Sequence, residues 1–140
     1  MNAIASYCLA FALSWWFPRT AHRLEEMRLA AEDLGTTDAT PHEALRLMNI
    51  AHEETGFERS KVGDLGERGR FQIRPWPWTT EAEIREWTER GAAEALRRLR
   101  VQGIYGYMGC PRVTPACEAL ARARVWPAEL YAWAYDPPGE

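Results

Sequence analysis

The helix with the clearest sequence signals constrains the fold of this chain more than any other feature. Thr40 is followed by Pro41 and stands three residues before Glu43, which is the order of an N-cap, a first-turn proline and a capping box. Apolar residues then recur at three- and four-residue steps until the chain approaches Gly56. The pattern therefore predicts a helix from about Thr40 to about Gly56 with one apolar face.

Two further segments carry comparable helix signals. Thr20 is a candidate N-cap for an amphipathic helix that ends at Gly35, where a left-handed C-terminal cap costs little. Thr80 and Glu83 form a second capping box, and apolar residues continue behind it as far as Leu99. Gly91 interrupts that run, so we expect the long helix to be kinked or split there.

The segment between residues 62 and 75 breaks the helical pattern. It contains glycines, charges and a short β-prone run over residues 70–73, which predicts turns and a small hairpin. Residues 103–109 are rich in glycine and tyrosine and predict another turn, and short helices are expected to begin at Pro115 and Pro127. The predicted fold class is α+β, mainly α, with one small β-hairpin.

The composition describes one globular module without an excess of basic residues. Of 140 residues, 46% are hydrophobic and 26% are charged, which are the proportions of a folded chain. This length suits one domain with one core. The formal net charge of −3 lacks the positive excess that binding to a phosphate backbone requires. We therefore expect no nucleic-acid partner.

An apolar segment, residues 1–18, precedes a predicted domain spanning residues 19–140. The run from Ala3 to Phe17 carries no charge, is short for a membrane span and has the length of the apolar part of a signal peptide. No Lys or Arg precedes it, and Pro18 and Arg19 follow it without a clear cleavage site. Two interpretations stay open: an export signal or anchor that contacts a membrane, or a first helix buried in the core.

Glu54 stands at the end of the apolar face of the helix that begins near Thr40. Three residues on from Ala51, the last apolar position of that face, the same stripe reaches Glu54. Glu53 falls on the polar side and is expected to be solvated. Partial loss of water and the carbonyl end of the helix dipole both disfavour a negative charge on Glu54. A carboxyl in such surroundings is suited to act as a general acid.

Two short stretches around this residue resemble a known superfamily. The run Glu54–Phe57 and the later run Gly69–Ile73 match, in order, the Glu-Ser-Gly-Phe-like and Gly-x-x-Gln-Ile patterns of lytic transglycosylases, with Thr55 in place of Ser. The sequence Gly-Asp-x-Gly at residues 63–66 is similar to goose-type lysozymes, and residues 107–109 resemble a Tyr-Asn-x-Gly turn. The chain thus resembles the lysozyme-like superfamily that cleaves peptidoglycan.

The resemblance implies a lysozyme-like fold and an activity. The expected reaction breaks the β-1,4 bond between N-acetylmuramic acid and N-acetylglucosamine, with Glu54 as general acid and later base. Asp64 and Glu67 are the candidates for a second carboxylate, which a muramidase needs and a lytic transglycosylase does not. We favour a transglycosylase-like enzyme. A catalytically silent lysozyme-like module that binds glycan or assembles into a secretion or phage machine is the alternative.

Substrate contacts are expected from the predicted hairpin and from aromatic residues. Gly66 and Gly69 let the backbone approach a sugar, Gln72 offers its amide to acetamido groups, and Ile73 completes the matched run. Three aromatic residues are candidates for stacking on sugar faces, although each is individually more often a packing residue: Trp76, Trp78 and Tyr107.

Other signals predict no metal site and no cofactor. His52-Glu53 begins like a zinc-protease helix, but position 56 is glycine where the second histidine ligand belongs. The glycine-rich residues 63–69 lack the lysine of a phosphate-binding loop. An arginine cluster on the long helix is interpreted as a solvated face: Arg97, Arg98 and Arg100.

Compartment and partners follow from the expected substrate. Peptidoglycan glycan strands are the expected partner, with a larger envelope or phage assembly as a further one. The expected location is the cell envelope, periplasmic, secreted or virion-associated, while a cytoplasmic one stays open. Cys110 and Cys117 are a disulfide candidate in an oxidising compartment and two small buried residues in a reducing one.

Overall fold

A computed structural model of the protein describes residues 1–110, 113–122 and 128. This part of the chain is mainly helical, and it contains no β-strand. Residues 115–122 are helical as well. The five named α-helices are α1 (Ala3–Trp16), α2 (Leu24–Gly35), α3 (Pro41–Thr55), α4 (Glu81–Arg90) and α5 (Ala92–Tyr107).

Helices α3 and α4 begin where the sequence predicts. The Thr40 hydroxyl accepts a hydrogen bond from the Glu43 backbone N–H, and the Glu43 carboxylate accepts one from the Thr40 N–H at 2.9 Å. Thr80 and Glu83 repeat the arrangement on α4. Gly56 ends α3 in the left-handed conformation, with φ of 60°. Both capping boxes are therefore confirmed, and the split at Gly91 separates α4 from α5.

Helix α2 ends at Gly35 as predicted, but the predicted capping at its two ends is wrong. The Thr20 hydroxyl does not cap the helix but donates to the Trp16 carbonyl oxygen at 3.2 Å, and a short 3₁₀ turn, Ala21–Arg23, precedes α2. Gly35 is the last residue of α2 rather than a left-handed cap. Its carbonyl accepts a hydrogen bond of 2.6 Å from the Asn2 side chain, and a Cβ at Gly35 would lie 2.6 Å from Asn2 Oδ1. Glycine is therefore needed for close packing.

The predicted β-hairpin is not confirmed. Two isolated antiparallel bridges, Val62 with Arg68 and Arg68 with Ile73, take its place. Left-handed residues lie among these bridges, including Gly69 with φ of 76° and Gln72 with φ of 51°. Reversals so closely spaced leave no room for two extended, paired strands. We call residues 62–76 the turn segment.

The chain after α4 is more helical than the sequence predicts. Residues 103–107, expected to form a turn, are the last part of α5, and a kink at Gly103, with φ of 69°, marks where the helix bends. A turn follows at residues 108–109. The helix expected from Pro115 is confirmed over residues 115–122, and the one expected from Pro127 lies outside the described residues.

Helix α1 packs against α2 and α3 in the hydrophobic core. Phe11 is fully buried, and the Trp16 ring stacks on the His52 ring with 4.1 Å between their centroids. Residues 3–16 thus lie in a core helix. Of the helices in the described residues, none has both the length and the apolar character that a membrane span requires.

Candidate functional site

A cleft of about 230 Å³ opens where the end of α3, the turn segment and the end of α5 meet. It brings together six of the sequence-predicted site residues although they come from three separate stretches of the chain. These are Glu54, Glu67, Gln72, Ile73, Trp76 and Tyr107. The remaining lining comes from Leu65, Arg74, Arg98, Gln102, Gly106, Met108 and Gly109.

Glu54 is held in the cleft by the residue that follows it. The buried Thr55 hydroxyl lies 2.9 Å from the Ala51 carbonyl oxygen, as in a helix, and 3.0 Å from the Arg70 carbonyl oxygen. Phe57, fully buried and in a left-handed conformation with φ of 71°, turns the chain sharply after α3. The last turn of α3 is therefore fixed against the turn segment, and Glu54 is partly buried at their junction.

Tyr107 closes the cleft from the side of α5. Its hydroxyl donates to the Phe71 carbonyl oxygen at 2.7 Å. Burial raises the pKa of this hydroxyl well above its usual range, and the nearby Glu54 carboxylate raises it further. The phenol is therefore a neutral hydrogen-bond donor near Glu54.

Glu67 and Gln72 lie side by side over the backbone of Gly63. A Cβ at Gly63 would stand 2.6 Å from both Glu67 Oε2 and Gln72 Oε1. The Gln72 amide nitrogen donates to the carbonyl oxygens of Gly69, at 2.9 Å, and Lys61, at 3.2 Å. Its donors therefore hold the turn segment together, in contrast to the expected contact with an acetamido group.

Glu67 supplies a second carboxylate to the cleft. Its Oε1 atom is buried and has no hydrogen-bond partner among the described residues. Asp64, the other candidate, is exposed and does not line the cleft. Between the two candidates, the geometry therefore favours Glu67.

Gly69 does not line the cleft, in contrast to its expected role beside a sugar. It is buried, and a Cβ there would stand 2.5 Å from the Trp87 carbonyl oxygen. Gly66 is also absent from the lining. Ile73 borders the cleft, but only 1% of it is exposed, so it is mainly a core residue.

Trp76 and Trp78 extend the cleft with an aromatic surface. Their rings stack with 5.9 Å between centroids and 21° between planes. Trp78 does not line the cleft itself, yet 75% of it is exposed. An exposed indole face is costly in water and chemically suited to stacking on an apolar face of a ligand.

Arg98 is one of the lining residues that the sequence interpretation did not assign to the site, together with Leu65, Arg74 and Gln102. It is only 5% exposed, while Arg97 and Arg100 form ion pairs at the surface. Its position three residues after the buried Ala95 was the available signal, because that spacing places Arg98 at the edge of the apolar stripe of α5.

A disulfide joins Cys110 to Cys117. It follows directly after Gly109, the last lining residue of the cleft, and ties this wall to the helix at residues 115–122. In the part of the chain that the structure describes, no group of His, Cys, Asp and Glu side chains is arranged to hold a metal ion.

Comparison with known proteins gives no family assignment. The chain matches no protein-family model, and neither the curated proteins nor the solved structures contain a match to it.

Proposed function

We propose that this protein has a lysozyme-like fold and cleaves peptidoglycan glycan strands at the β-1,4 bond between N-acetylmuramic acid and N-acetylglucosamine. One observation carries the proposal: Glu54 shares a cleft with Glu67, Gln72 and Tyr107. Sequence patterns alone predict all four as site residues, although Glu54 and Tyr107 are far apart along the chain. Their convergence in one cleft is expected of a glycan-cleaving site.

Glu54 is the proposed general acid. A carboxyl in its neutral form donates its proton to the glycosidic oxygen as the bond from that oxygen to the sugar C1 breaks, and the positive charge that develops at C1 is then captured by an oxygen nucleophile. The resulting Glu54 carboxylate takes the proton from that nucleophile. Partial burial of Glu54 beside an apolar helix face restricts water around this exchange.

The nucleophile distinguishes two reaction types. In a transglycosylase-like reaction, a hydroxyl of the same sugar attacks C1 and leaves an anhydro end, so one carboxyl is sufficient. In a muramidase reaction, water gives a reducing end, and a second carboxylate takes part as base or nucleophile. We favour the transglycosylase-like reaction and assign Glu67, the second carboxylate of the cleft, as the residue that decides between them.

The pair of tryptophans beside the cleft supports the choice of substrate. The exposed indole of Trp78 and its stacked neighbour Trp76 extend from the cleft, and stacking on such rings is a common way to hold a sugar. The proposed place of action is the cell envelope, periplasmic, secreted or virion-associated. The disulfide between Cys110 and Cys117 supports an oxidising compartment.

Digestion of purified peptidoglycan, with chromatography of the released muropeptides, tests the proposal. We expect the wild type to release muropeptides, Glu54→Gln to lose about 100-fold or more of that rate, and Glu53→Gln to stay within about two-fold. Glu53 is the matched control because it is the adjacent, exposed glutamate of the same helix. Products with anhydro ends and an active Glu67→Gln variant would identify the transglycosylase-like reaction.

Two results would refute the proposal. Normal release by Glu54→Gln would remove this residue from the mechanism. The absence of release by the wild type would refute cleavage, and retained binding to peptidoglycan in the same sample would then favour a silent glycan-binding or assembly module.

A further inference from the structure

Arg98 is held rigidly in the wall of the cleft. Its Nε donates to Glu94 at 2.9 Å, and its Nη1 donates to the Arg74 carbonyl oxygen at 2.5 Å. Its guanidinium carbon lies 4.8 Å from the centre of the Trp76 ring and 5.0 Å from that of Trp87. Two hydrogen bonds and two aromatic contacts thus fix one orientation of the guanidinium, which removes most of the entropy cost of ordering it on a ligand.

One donor of this fixed group is unused. The Nη2 atom of Arg98 is buried and has no hydrogen-bond partner among the described residues. A buried donor without a partner destabilises the folded protein, so such groups are rare unless a ligand or water completes them. Because Arg98 lines the cleft, an acceptor atom of a bound ligand is a suitable partner.

The charge of Arg98 is only partly balanced by its ion pair with Glu94. The Glu94 carboxylate is shared between Arg98 and Arg97, which lies 2.6 Å from it, so one negative charge serves two positive ones. Although the cleft also contains the carboxylates of Glu54 and Glu67, neither is an ion-pair partner of Arg98 among the described residues. An anionic group at Nη2 would balance the remaining charge of Arg98, and a guanidinium pairs with a carboxylate through charge-assisted hydrogen bonds.

We propose that Arg98 binds a carboxylate of the glycan that occupies the cleft, so that the site selects an acidic sugar over a neutral one. The inference rests on the proposed function, because it places a glycan there. In peptidoglycan the carboxylate has two sources, the lactyl group of N-acetylmuramic acid without a peptide and the peptide stem attached to that group.

Binding without turnover tests this proposal, with Glu54→Gln as the background. The quenching of tryptophan fluorescence is the readout, since Trp76 and Trp87 contact Arg98. The probes are a peptide-free N-acetylmuramic acid–N-acetylglucosamine oligomer with free lactyl carboxylates, the same oligomer with these groups converted to primary amides, and an oligomer with peptide stems. We expect at least one carboxylate-bearing oligomer to bind about tenfold or more tightly than the amide form.

Substitutions on α5 assign this preference to Arg98. Adding Arg98→Met, which keeps the length of the side chain, should remove the preference, so that the carboxylate-bearing and amide oligomers bind with affinities within about two-fold of each other. Adding Arg97→Met is the matched control, because Arg97 shares Glu94 but is exposed, and it should keep the preference. Which carboxylate-bearing oligomer loses affinity with Arg98→Met identifies the source of the carboxylate.

Equal affinity for the charged and amide oligomers would overturn the proposal, and so would a preference that survives Arg98→Met. The comparison of charged and amide oligomers uses no Arg98 variant, so it tests the carboxylate preference even if Arg98→Met does not fold. Cleavage and carboxylate preference are separate readouts. A preference in a protein that releases no muropeptides would refute the enzymatic activity and support the Arg98 site.

Discussion

Gly69 is a residue for which the sequence suggested function and the structure gives a packing role. Gly69 adopts the left-handed conformation, with φ of 76°, and its backbone lies against the Trp87 carbonyl oxygen of α4. Gly66 has a similar φ of 83°, but a Cβ there would meet only Pro75, at an ordinary 3.7 Å. A comparison of the two glycines therefore distinguishes the free-energy cost of a left-handed backbone from that of a steric clash.

We predict that Gly69→Ala lowers the free energy of unfolding more than Gly66→Ala does. Both substitutions place a side chain in the left-handed region, at about 1–2 kcal/mol each. Gly69→Ala also forces its methyl group to within 2.5 Å of a backbone oxygen, which adds about 1–3 kcal/mol because a backbone atom cannot move aside. Urea unfolding of the two variants measures the difference. Equal losses would contradict the packing role of Gly69.

Asp33 links pH to stability. Burial raises the pKa of this carboxyl to about 6, and its hydrogen bond of 2.9 Å from the Ala92 N–H, at the start of α5, only partly offsets that effect. The folded protein therefore binds this proton more tightly than the unfolded chain. The stability that the proton provides is fully present below about pH 3.8 and is lost as the pH rises through about 6.

We predict that Asp33→Asn is more stable than the wild type at pH 8 and that this advantage vanishes near pH 4. The amide keeps an oxygen for the Ala92 N–H but does not titrate, so the difference at pH 8 should be about 1–3 kcal/mol. Chemical unfolding at a series of pH values measures it. Asp38→Asn is the control, because it removes an exposed carboxylate. A constant difference between Asp33→Asn and the wild type across this range would show that Asp33 does not link pH to stability.

At the scale of elements, the sequence correctly predicted the features that depend on residues close together in the chain. The capping boxes at Thr40 and Thr80 depend on residues three positions apart, and both formed as predicted. The turn segment, the continuation of α5 beyond the kink at Gly103 and the burial of Arg98 depend on packing between elements. Periodicity in one segment carries no information about such contacts, so the predicted hairpin is not confirmed, and Arg98 is buried although Arg97 and Arg100 are exposed as predicted.

The residues of the candidate site show the same difference between local signals and contacts between elements. The end of the apolar stripe placed Glu54 correctly at the close of α3, because a helix repeats predictably over its length. Asp64 and Gly69 came from matching short stretches of sequence, and neither lines the cleft. Such matches assign a residue to a segment but not to the side of the segment that faces the cleft.

We predict that Thr40→Ala lowers the free energy of unfolding by about 1–2 kcal/mol, because the start of α3 loses the hydroxyl that accepts from the Glu43 N–H. Thr40→Ser keeps that oxygen and should lose less than half as much. Urea unfolding followed by circular dichroism compares the two. If serine were as costly as alanine, the loss would come from the methyl group of Thr40 and not from the capping box.

At the scale of the whole molecule, the cleft depends on a core that begins at the first helix. Phe11 of α1 is fully buried, whereas Leu13, two residues along the same helix, is 37% exposed. Trp16 ends α1 against His52, which lies in the same turn of α3 as Glu54. The packing of α1 therefore supports the helix that carries the proposed acid.

We predict that Phe11→Ala lowers the free energy of unfolding by about 3–5 kcal/mol, while Leu13→Ala changes it by about 0.5 kcal/mol or less. The first substitution leaves a cavity among buried side chains, and the second removes a side chain that is already partly in water. Thermal unfolding followed by tryptophan fluorescence measures both. A chain that starts at Pro18 should lose cooperative unfolding for the same reason. Cooperative unfolding of that shortened chain, together with a small effect of Phe11→Ala, would show that residues 3–16 are a detachable segment and that α2 and α3 hold the cleft without them.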